Sequence, residues 1–217
     1  MLKSQKHVFW EALLVTTLIF IVGIFLGNML EKNRVEKIDE YYAQSEISLM
    51  DILIFQDIVK ANETSCEILI KSNLEFADKI YNEALILSKY NNQQLTEGAE
   101  LAQKRYSLLR TLLWMNVIKT QKTCEENFNS VIYLYQINPK DLTIKAEQKV
   151  FSKVLEDLKN EYANNIILIP IAVDESFISL NSLIENHEIE KLPAIIINDR
   201  IITEIPTKEE LKKYMKN

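Results

Sequence analysis

The stretch KLPAIIINDRIITEIPTKEELKKYM, residues 191–215, decides the fold of the C-terminal part of the chain. Two short runs rich in isoleucine flank Asn198-Asp199, a dipeptide typical of a two-residue hairpin turn. Thr207 precedes Glu210 by three residues, the spacing of a capping box at the start of a helix. The stretch therefore predicts two antiparallel strands followed by a final helix.

The segment upstream of this hairpin predicts the rest of a sheet. Two apolar runs, residues 131–135 and 166–173, suit buried parallel strands. An amphipathic helix is predicted after each run, over 144–158 and 175–187. Pro170 has no N–H to donate, so its strand is predicted to lie at a sheet edge or to carry a bulge. The order β-α-β-α-β-β-α predicts a mixed sheet covered by helices.

This order of elements, with KLPAIIINDR entering the hairpin, resembles the thioredoxin fold over residues 129–217. The whole chain also resembles membrane-anchored thioredoxin-like proteins of archaea that carry a helical hairpin between anchor and fold. In that family the proline opening the third strand is cis and faces the active-site turn, and Pro193 is the matching position. The family's Cys-x-x-Cys lies at the turn after the first strand, but the matching segment, QINPKDLTIK at 136–145, contains no cysteine. The resemblance therefore implies an α/β thioredoxin-like domain without dithiol exchange at the usual place.

The remaining polar residues of this domain predict no other chemistry. Thr143 is expected to cap the first helix of the domain, and Asp141, Asp174 and Glu175 are expected to be solvated caps at element ends. The sequence has neither a glycine-rich phosphate loop nor a metal-spaced His/Cys set, and no Ser/His/Asp set follows a recognisable turn. We predict no catalytic residue, no metal ligand and no cofactor.

The N-terminal residues 8–30, VFWEALLVTTLIFIVGIFLGNML, predict a transmembrane helix. Only Glu11 and Asn28 interrupt the apolar run, and about 20 apolar residues match a hydrocarbon core of about 30 Å. Trp10 lies where an aromatic ring suits the membrane interface. A cleaved signal peptide would have a shorter apolar core and a small-x-small site. We predict an uncleaved, single-pass anchor, whose orientation the nearly balanced flanking charges do not decide.

Residues 31–128 predict a helical stalk that contains an antiparallel hairpin, because two amphipathic stripes are separated by YNNQQLTEG. Cys66 lies 24 residues before Tyr90 at the end of the first stripe, and Cys124 lies 28 residues after Thr96. This offset of four residues is about 6 Å of helix rise, so a disulfide is predicted across the hairpin. The alternative is two buried thiols. A disulfide implies an oxidising compartment, which places the soluble part outside the cytoplasm.

The function expected from these features is a redox-inactive, thioredoxin-like binding or scaffold protein in the cell membrane, acting on exported polypeptides or a membrane partner. The resemblance implies that Leu192 and Pro193 contact an extended peptide. Two alternatives stay open: a thiol–disulfide oxidoreductase or isomerase that uses Cys66 and Cys124, and a structural coiled-coil assembly built from the stalk. The net charge of −6 and the lack of a basic stripe argue against a nucleic-acid partner, and the oligomeric state is left open.

Overall fold

A computed structural model describes residues 3–62, 66–90, 97–124, 128–162, 165–174, 177–198 and 200–215. The chain divides into two compact units, residues 1–41 and residues 42–217. The first helix, α1 (Lys3–Asn62), contributes residues to both units. Each unit is described by itself below.

The described part of the first unit is helical, and its middle segment is apolar. Within the segment His7–Lys37 of α1, the most apolar window of 18 residues has a mean hydropathy of 2.4, and among the described residues this is the one helix long and apolar enough to cross a membrane. The side chains of residues 8–30 are exposed along its whole length, as a lipid-facing helix requires. The predicted span therefore lies in a helix of suitable length and composition.

The second unit is built from helices and a small sheet. In chain order its further elements are α2 (Cys66–Tyr90), α3 (Glu97–Cys124), β1 (Asn129–Tyr135), α4 (Leu142–Tyr162), β2 (Ile166–Ala172), α5 (Ile178–Asn186), β3 (Ala194–Ile197), β4 (Arg200–Ile202) and α6 (Lys208–Lys213). The predicted alternation of strands and helices is confirmed. The predicted hairpin turn falls on Asn198, which has a φ of 46°, and on Asp199, which lies outside the described residues.

The four strands form one mixed sheet in the order β2-β1-β3-β4. Strand β1 runs parallel to β2 and antiparallel to β3, and β3 pairs antiparallel with β4. Pro170 lies in β2, an edge strand, as its missing N–H predicted. Nearly all residues of β1, β2 and β3 are buried, because helices cover the sheet. This explains why these strands read as unbroken apolar runs rather than as alternating ones.

One face of the sheet packs against α4 and α6. Its core contains alternate residues of β1, β2 and β3 together with four helical side chains: Val131, Tyr133, Ile166, Leu168, Ile195, Ile197, Phe151, Leu155, Leu158 and Leu211. The predicted capping box is present at the start of α6, where the Thr207 hydroxyl accepts from the Glu210 N–H and Glu210 accepts from the Thr207 N–H. The final helix is therefore fixed both by its cap and by burial of Leu211.

Helices α2 and α3 both contact β2 and belong to the same compact unit as the sheet. The Lys159 ammonium of α4 pairs with Asp78 of α2 and donates to the Ile166 carbonyl at 3.0 Å. A helical cover over an edge strand protects its unpaired backbone groups. The helical stalk predicted over residues 31–128 stays a prediction, and in the structure α2 and α3 contact the sheet as well as each other.

The seam between α2 and α3 is partly polar. The Asn73 amide donates to the Leu69 carbonyl at 2.9 Å and to the Thr120 hydroxyl at 3.3 Å, and Asn116 donates to Asn73 at 3.4 Å. All three polar side chains are almost fully buried. Because buried amides need fixed partners, this network favours one alignment of the two helices over others.

Candidate functional site

The loop between β1 and α4, residues 136–141, occupies the place where the resemblance puts an active-site turn. Gln148 of α4 holds its start, since the Gln148 amide donates to the Gln136 carbonyl and accepts from the Gln136 N–H, both at 2.8 Å. Asp174 accepts from the N–H groups of Ile137 at 2.7 Å and Asn138 at 3.0 Å. Asp174 is therefore a clasp across the loop rather than the simple end cap that the sequence suggested.

The helix α4 is capped by Asp141 and not by Thr143. The Asp141 carboxylate accepts from the Thr143 N–H at 2.7 Å, and the helix begins at Leu142. The prediction of a Thr143 cap is wrong because a capping side chain must precede the first helical residue, and Thr143 lies within the first turn. The expectation that Asp141 is a cap is confirmed, whereas Glu175 lies outside the described residues.

Leu192 and Pro193 lie directly before β3, opposite this loop. The Leu192–Pro193 peptide bond is cis, Pro193 is buried, and Leu192 is half-buried. The register of β1 with β3 ends at the pair Leu134–Ala194, so Leu192 lies outside the strand pairing. The backbone before β3 thus borders the groove between the two segments.

The groove itself has a volume of about 500 Å³. Its lining comes from the β1–α4 loop, the first turns of α4 and the segment before β3: Gln136, Asp141, Thr143, Ile144, Glu147, Glu190, Lys191 and Leu192. Three of these side chains are acidic and one is basic. Leu142, between two lining residues, is an apolar side chain with 79% exposure. We call this site the Leu192 groove.

The two cysteines lie at the far ends of the hairpin helices. Cys66 is the first residue of α2 and Cys124 the last residue of α3, and a disulfide joins them with a Cα–Cα distance of 5.5 Å. Cys124 is buried and Cys66 half-buried. The predicted disulfide is present, and its position at matched helix ends closes the hairpin opposite its connecting loop.

The other candidate groups take structural positions. The ring of His187 is half-buried and lies against Trp114 of α3, with ring centroids 5.2 Å apart. Its Nδ1 lies 2.8 Å from the Leu183 carbonyl. Among the described residues, no group of three or more His, Cys, Asp or Glu side chains is placed to hold a metal ion.

Sequence reasoning missed most of the polar lining of the groove, the glutamine that holds its loop, Gln148, and the Asp174 clasp. A single glutamine within a helix carries no signal of its partner, and the clasp joins residues 36 positions apart. No family model, no curated protein and no solved structure matches this chain.

Proposed function

We propose that this chain is a membrane-anchored, thioredoxin-like protein without redox chemistry that binds extended polypeptide segments in the Leu192 groove. The observation that carries the proposal is the juxtaposition of Leu192, outside the strand pairing, with the cysteine-free β1–α4 loop. An extended chain placed beside Leu192 gains main-chain hydrogen bonds and a shallow pocket for side chains. Exported polypeptides or the exposed segment of a membrane partner are substrates of this kind.

Three features support the thioredoxin-like assignment of residues 129–217. The element order agrees with the family pattern, the sheet has one parallel and two antiparallel pairings, and Pro193 is cis at the matching position. The loop that carries cysteines in that family contains none here. A domain of this kind would therefore bind without exchanging thiols.

The charges of the Leu192 groove suggest which segments it prefers. Asp141, Glu147 and Glu190 outnumber Lys191, and Leu142 presents an exposed apolar surface beside them. Complementary charge and apolar contact favour segments that alternate apolar and basic residues. Acidic segments would be repelled.

The test uses the full chain in lipid nanodiscs and a dansyl-labelled peptide of alternating leucine and lysine, measured by fluorescence anisotropy. Leu192→Asp should weaken binding about tenfold or more, since it removes apolar contact and adds a charge to an acidic groove. Ile178→Asp, at a highly exposed position on α5, is the matched control and should bind as the wild type does. Equal affinity of the Leu192→Asp variant, or equal binding of a leucine–glutamate peptide, would overturn the proposal.

The compartment proposed for the second unit is extracytoplasmic. The Cys66–Cys124 disulfide supports it, because structural disulfides persist in oxidising compartments and are rare in the cytosol. Alkylation of whole cells under denaturing conditions without reductant should leave both cysteines unmodified, and reductant should expose two thiols per chain. Two thiols that react without reductant would place the unit on the cytoplasmic side.

The oxidoreductase alternative finds little support in the geometry. An attacking cysteine needs an accessible sulfur of lowered pKa. Cys124 is only 8% exposed, and the disulfide closes a helical hairpin rather than a turn at a cleft. A structural role for this disulfide is the simpler account.

The coiled-coil alternative is favoured by one specific observation. In the part of α1 that belongs to the second unit, four apolar side chains are strongly exposed: Ile47, Met50, Ile54 and Ile58. They recur at intervals of three or four residues, which is the spacing of a coiled-coil seam. Self-association through α1 is compatible with peptide binding in the Leu192 groove.

A further inference from the structure

We propose that a second cavity, between α2, α4 and the β1–β2 part of the sheet, binds an amphipathic carboxylate, a small molecule with an apolar body and one carboxylate group. We call it the tyrosine cavity, and its principal lining residues are Tyr81, Tyr133, Tyr135, Lys145, Lys149 and Pro170. The proposal concerns a different ligand from the peptide of the Leu192 groove and does not rest on it.

The tyrosine cavity has the size and position of a ligand site. Its volume is about 540 Å³, within the range of roughly 300–1,000 Å³ found for small-molecule pockets. It lies at the carboxyl ends of β1 and β2, the two parallel strands, where Tyr135 and Pro170 are found. Open α/β sheets bind ligands outside the carboxyl ends of their parallel strands.

The sequence explains why space remains here. Pro170 faces Tyr133 in the parallel register of β1 and β2, and its short ring replaces the larger side chains that fill the core at Ile166 and Leu168. Tyr133 stacks between Tyr135, with ring centroids 5.4 Å apart, and Phe151, at 6.1 Å. The floor of the cavity is therefore a stacked aromatic surface.

The wall opposite α4 comes from outside the sheet. Tyr81 belongs to α2, and it packs partly buried against the same core. Burial raises the pKa of Tyr133, and burial followed by the nearby Glu156 raises the pKa of Tyr81. Both phenols are therefore uncharged at neutral pH, so they offer apolar rings and hydroxyl groups without repelling an anion.

The lysines of α4 that line the tyrosine cavity favour a negatively charged ligand. Lys145, Lys149 and Lys153 lie one helical turn apart along α4. Lys153 is neutralised by Glu156 at 3.1 Å and Asp157 at 3.2 Å. Among the described residues, neither Lys145 nor Lys149 has a carboxylate within 4.0 Å. Because like charges at this spacing repel, an anion between the two ammonium groups would stabilise the helix.

A buried cation lies behind the same surface. Arg110 of α3 is only 3% exposed, with its guanidinium 3.9 Å from the centroid of the Tyr106 ring, and it also interacts with Tyr135. Its Nε has no hydrogen-bond partner among the described residues, and no carboxylate pairs with it there. A buried positive charge without a carboxylate makes the potential at Tyr135 favourable to a bound anion.

The proposal is tested on the full chain in lipid nanodiscs with 2-naphthoate as the probe, followed by saturation-transfer NMR against empty nanodiscs. Neutral 2-naphthamide measures the requirement for the negative charge. Octanoate, compared with 2-naphthoate, shows whether the apolar body of the ligand is an acyl chain or an aromatic ring. We expect saturable binding of 2-naphthoate and at least about tenfold weaker binding of 2-naphthamide. Tighter binding of octanoate would assign the ligand to acyl chains, and tighter binding of 2-naphthoate to aromatic acids.

Two variants test whether the probes bind in the tyrosine cavity rather than elsewhere on the protein. Lys145→Gln/Lys149→Gln should weaken 2-naphthoate binding about tenfold while leaving 2-naphthamide unchanged, and Lys119→Gln/Lys122→Gln on the exposed side of α3 is the control with the same change in charge. Ser152→Trp should fill the cavity and abolish binding of both probes without removing a lysine. Absence of saturable 2-naphthoate binding, or wild-type affinity in either cavity variant, would overturn the proposal.

Discussion

One ion pair, between Lys159 and Asp78, joins α4 to the hairpin helix α2. The Lys159 side chain is nearly buried and also donates to the Ile166 carbonyl, whereas the Asp78 side chain is 32% exposed. Removing one residue of a partly buried ion pair leaves the charge of the other residue uncompensated. The resulting loss in the free energy of unfolding is smaller when water can solvate the remaining charged group.

Lys159→Ala is therefore expected to lower the free energy of unfolding by about 2 kcal/mol, less than for a fully buried pair because water reaches Asp78. Lys153→Ala, whose lysine is 66% exposed, should change it by less than about 0.5 kcal/mol. Urea unfolding of the full chain, followed by tryptophan fluorescence, measures both values. Equal effects of the two substitutions would contradict the assignment.

At the scale of elements, α6 is held by carboxylates whose charge matters. Hydrogen bonds from Lys212 and then Lys208 lower the pKa of Glu161, and the Thr207 backbone N–H followed by its hydroxyl lowers the pKa of Glu210. A carboxyl whose folded pKa is below its unfolded value, about 4.3, stabilises the fold above that value. The contribution is lost as the pH falls through the folded pKa.

Docking of α6 is therefore expected to weaken as the pH falls below about 4 and to stay constant between about pH 5 and 7. Glu161→Gln should expose α6 amides more at neutral pH and reduce the change on acidification. Hydrogen exchange of residues 208–213, read by mass spectrometry and corrected for intrinsic rates, follows this local opening. If hydrogen exchange of α6 in the wild type does not increase at acidic pH, the lowered pKa values of Glu161 and Glu210 are contradicted.

The disulfide is the second feature at this scale. It closes a loop of 58 residues, and the chain-entropy account gives about 4 kcal/mol for a loop of this length. Cys66→Ser/Cys124→Ser should lower the free energy of unfolding by roughly 2–5 kcal/mol, with increased hydrogen exchange at the adjoining ends of α2 and α3. Unchanged stability in the double variant would mean that helix packing alone fixes the hairpin.

At the scale of the whole molecule, the exposed apolar residues of α1 predict self-association. Met50→Lys/Ile54→Lys should shift the full chain toward the monomer, because two charges replace apolar contacts in a helical seam. Single-molecule photobleaching in nanodiscs counts the chains per particle. Leu142→Lys/Ile178→Lys changes two apolar residues elsewhere that are even more exposed, and it should leave the count unchanged. Monomers in the wild-type sample would refute the prediction.

Local patterns predicted the elements well. The capping box at Thr207, the edge position of Pro170 and the disulfide each follow from short-range rules of hydrogen bonding or helix rise. Their partners lie either a few residues apart or at positions fixed by two regular helices. For this reason the helical hairpin and the strand alternation were predictable without coordinates.

The contacts between elements were not predictable from such rules. The Asp174 clasp, the pairing of Lys159 with Asp78 and the approach of Tyr81 to Tyr133 join segments far apart in the chain. The two contacts made by α2 depend on where it lies beside β2, and no pattern in the sequence reports that placement. The packing of α2 and α3 on β2 was not predicted from the sequence, because their amphipathic stripes specify burial but not the surface that provides it.

By itself, the sequence determined an apolar N-terminal helix, an amphipathic hairpin with matched cysteines, a mixed sheet with Pro170 at its edge, and a β1–α4 loop without a thiol. These depend on local periodicity, helix rise and the missing N–H of proline. Only the tertiary structure decided that the hairpin covers β2, that Leu192 borders an acidic groove, and that tyrosines and lysines from three elements meet in one cavity. Such sites arise from packing between distant segments, which local patterns do not encode.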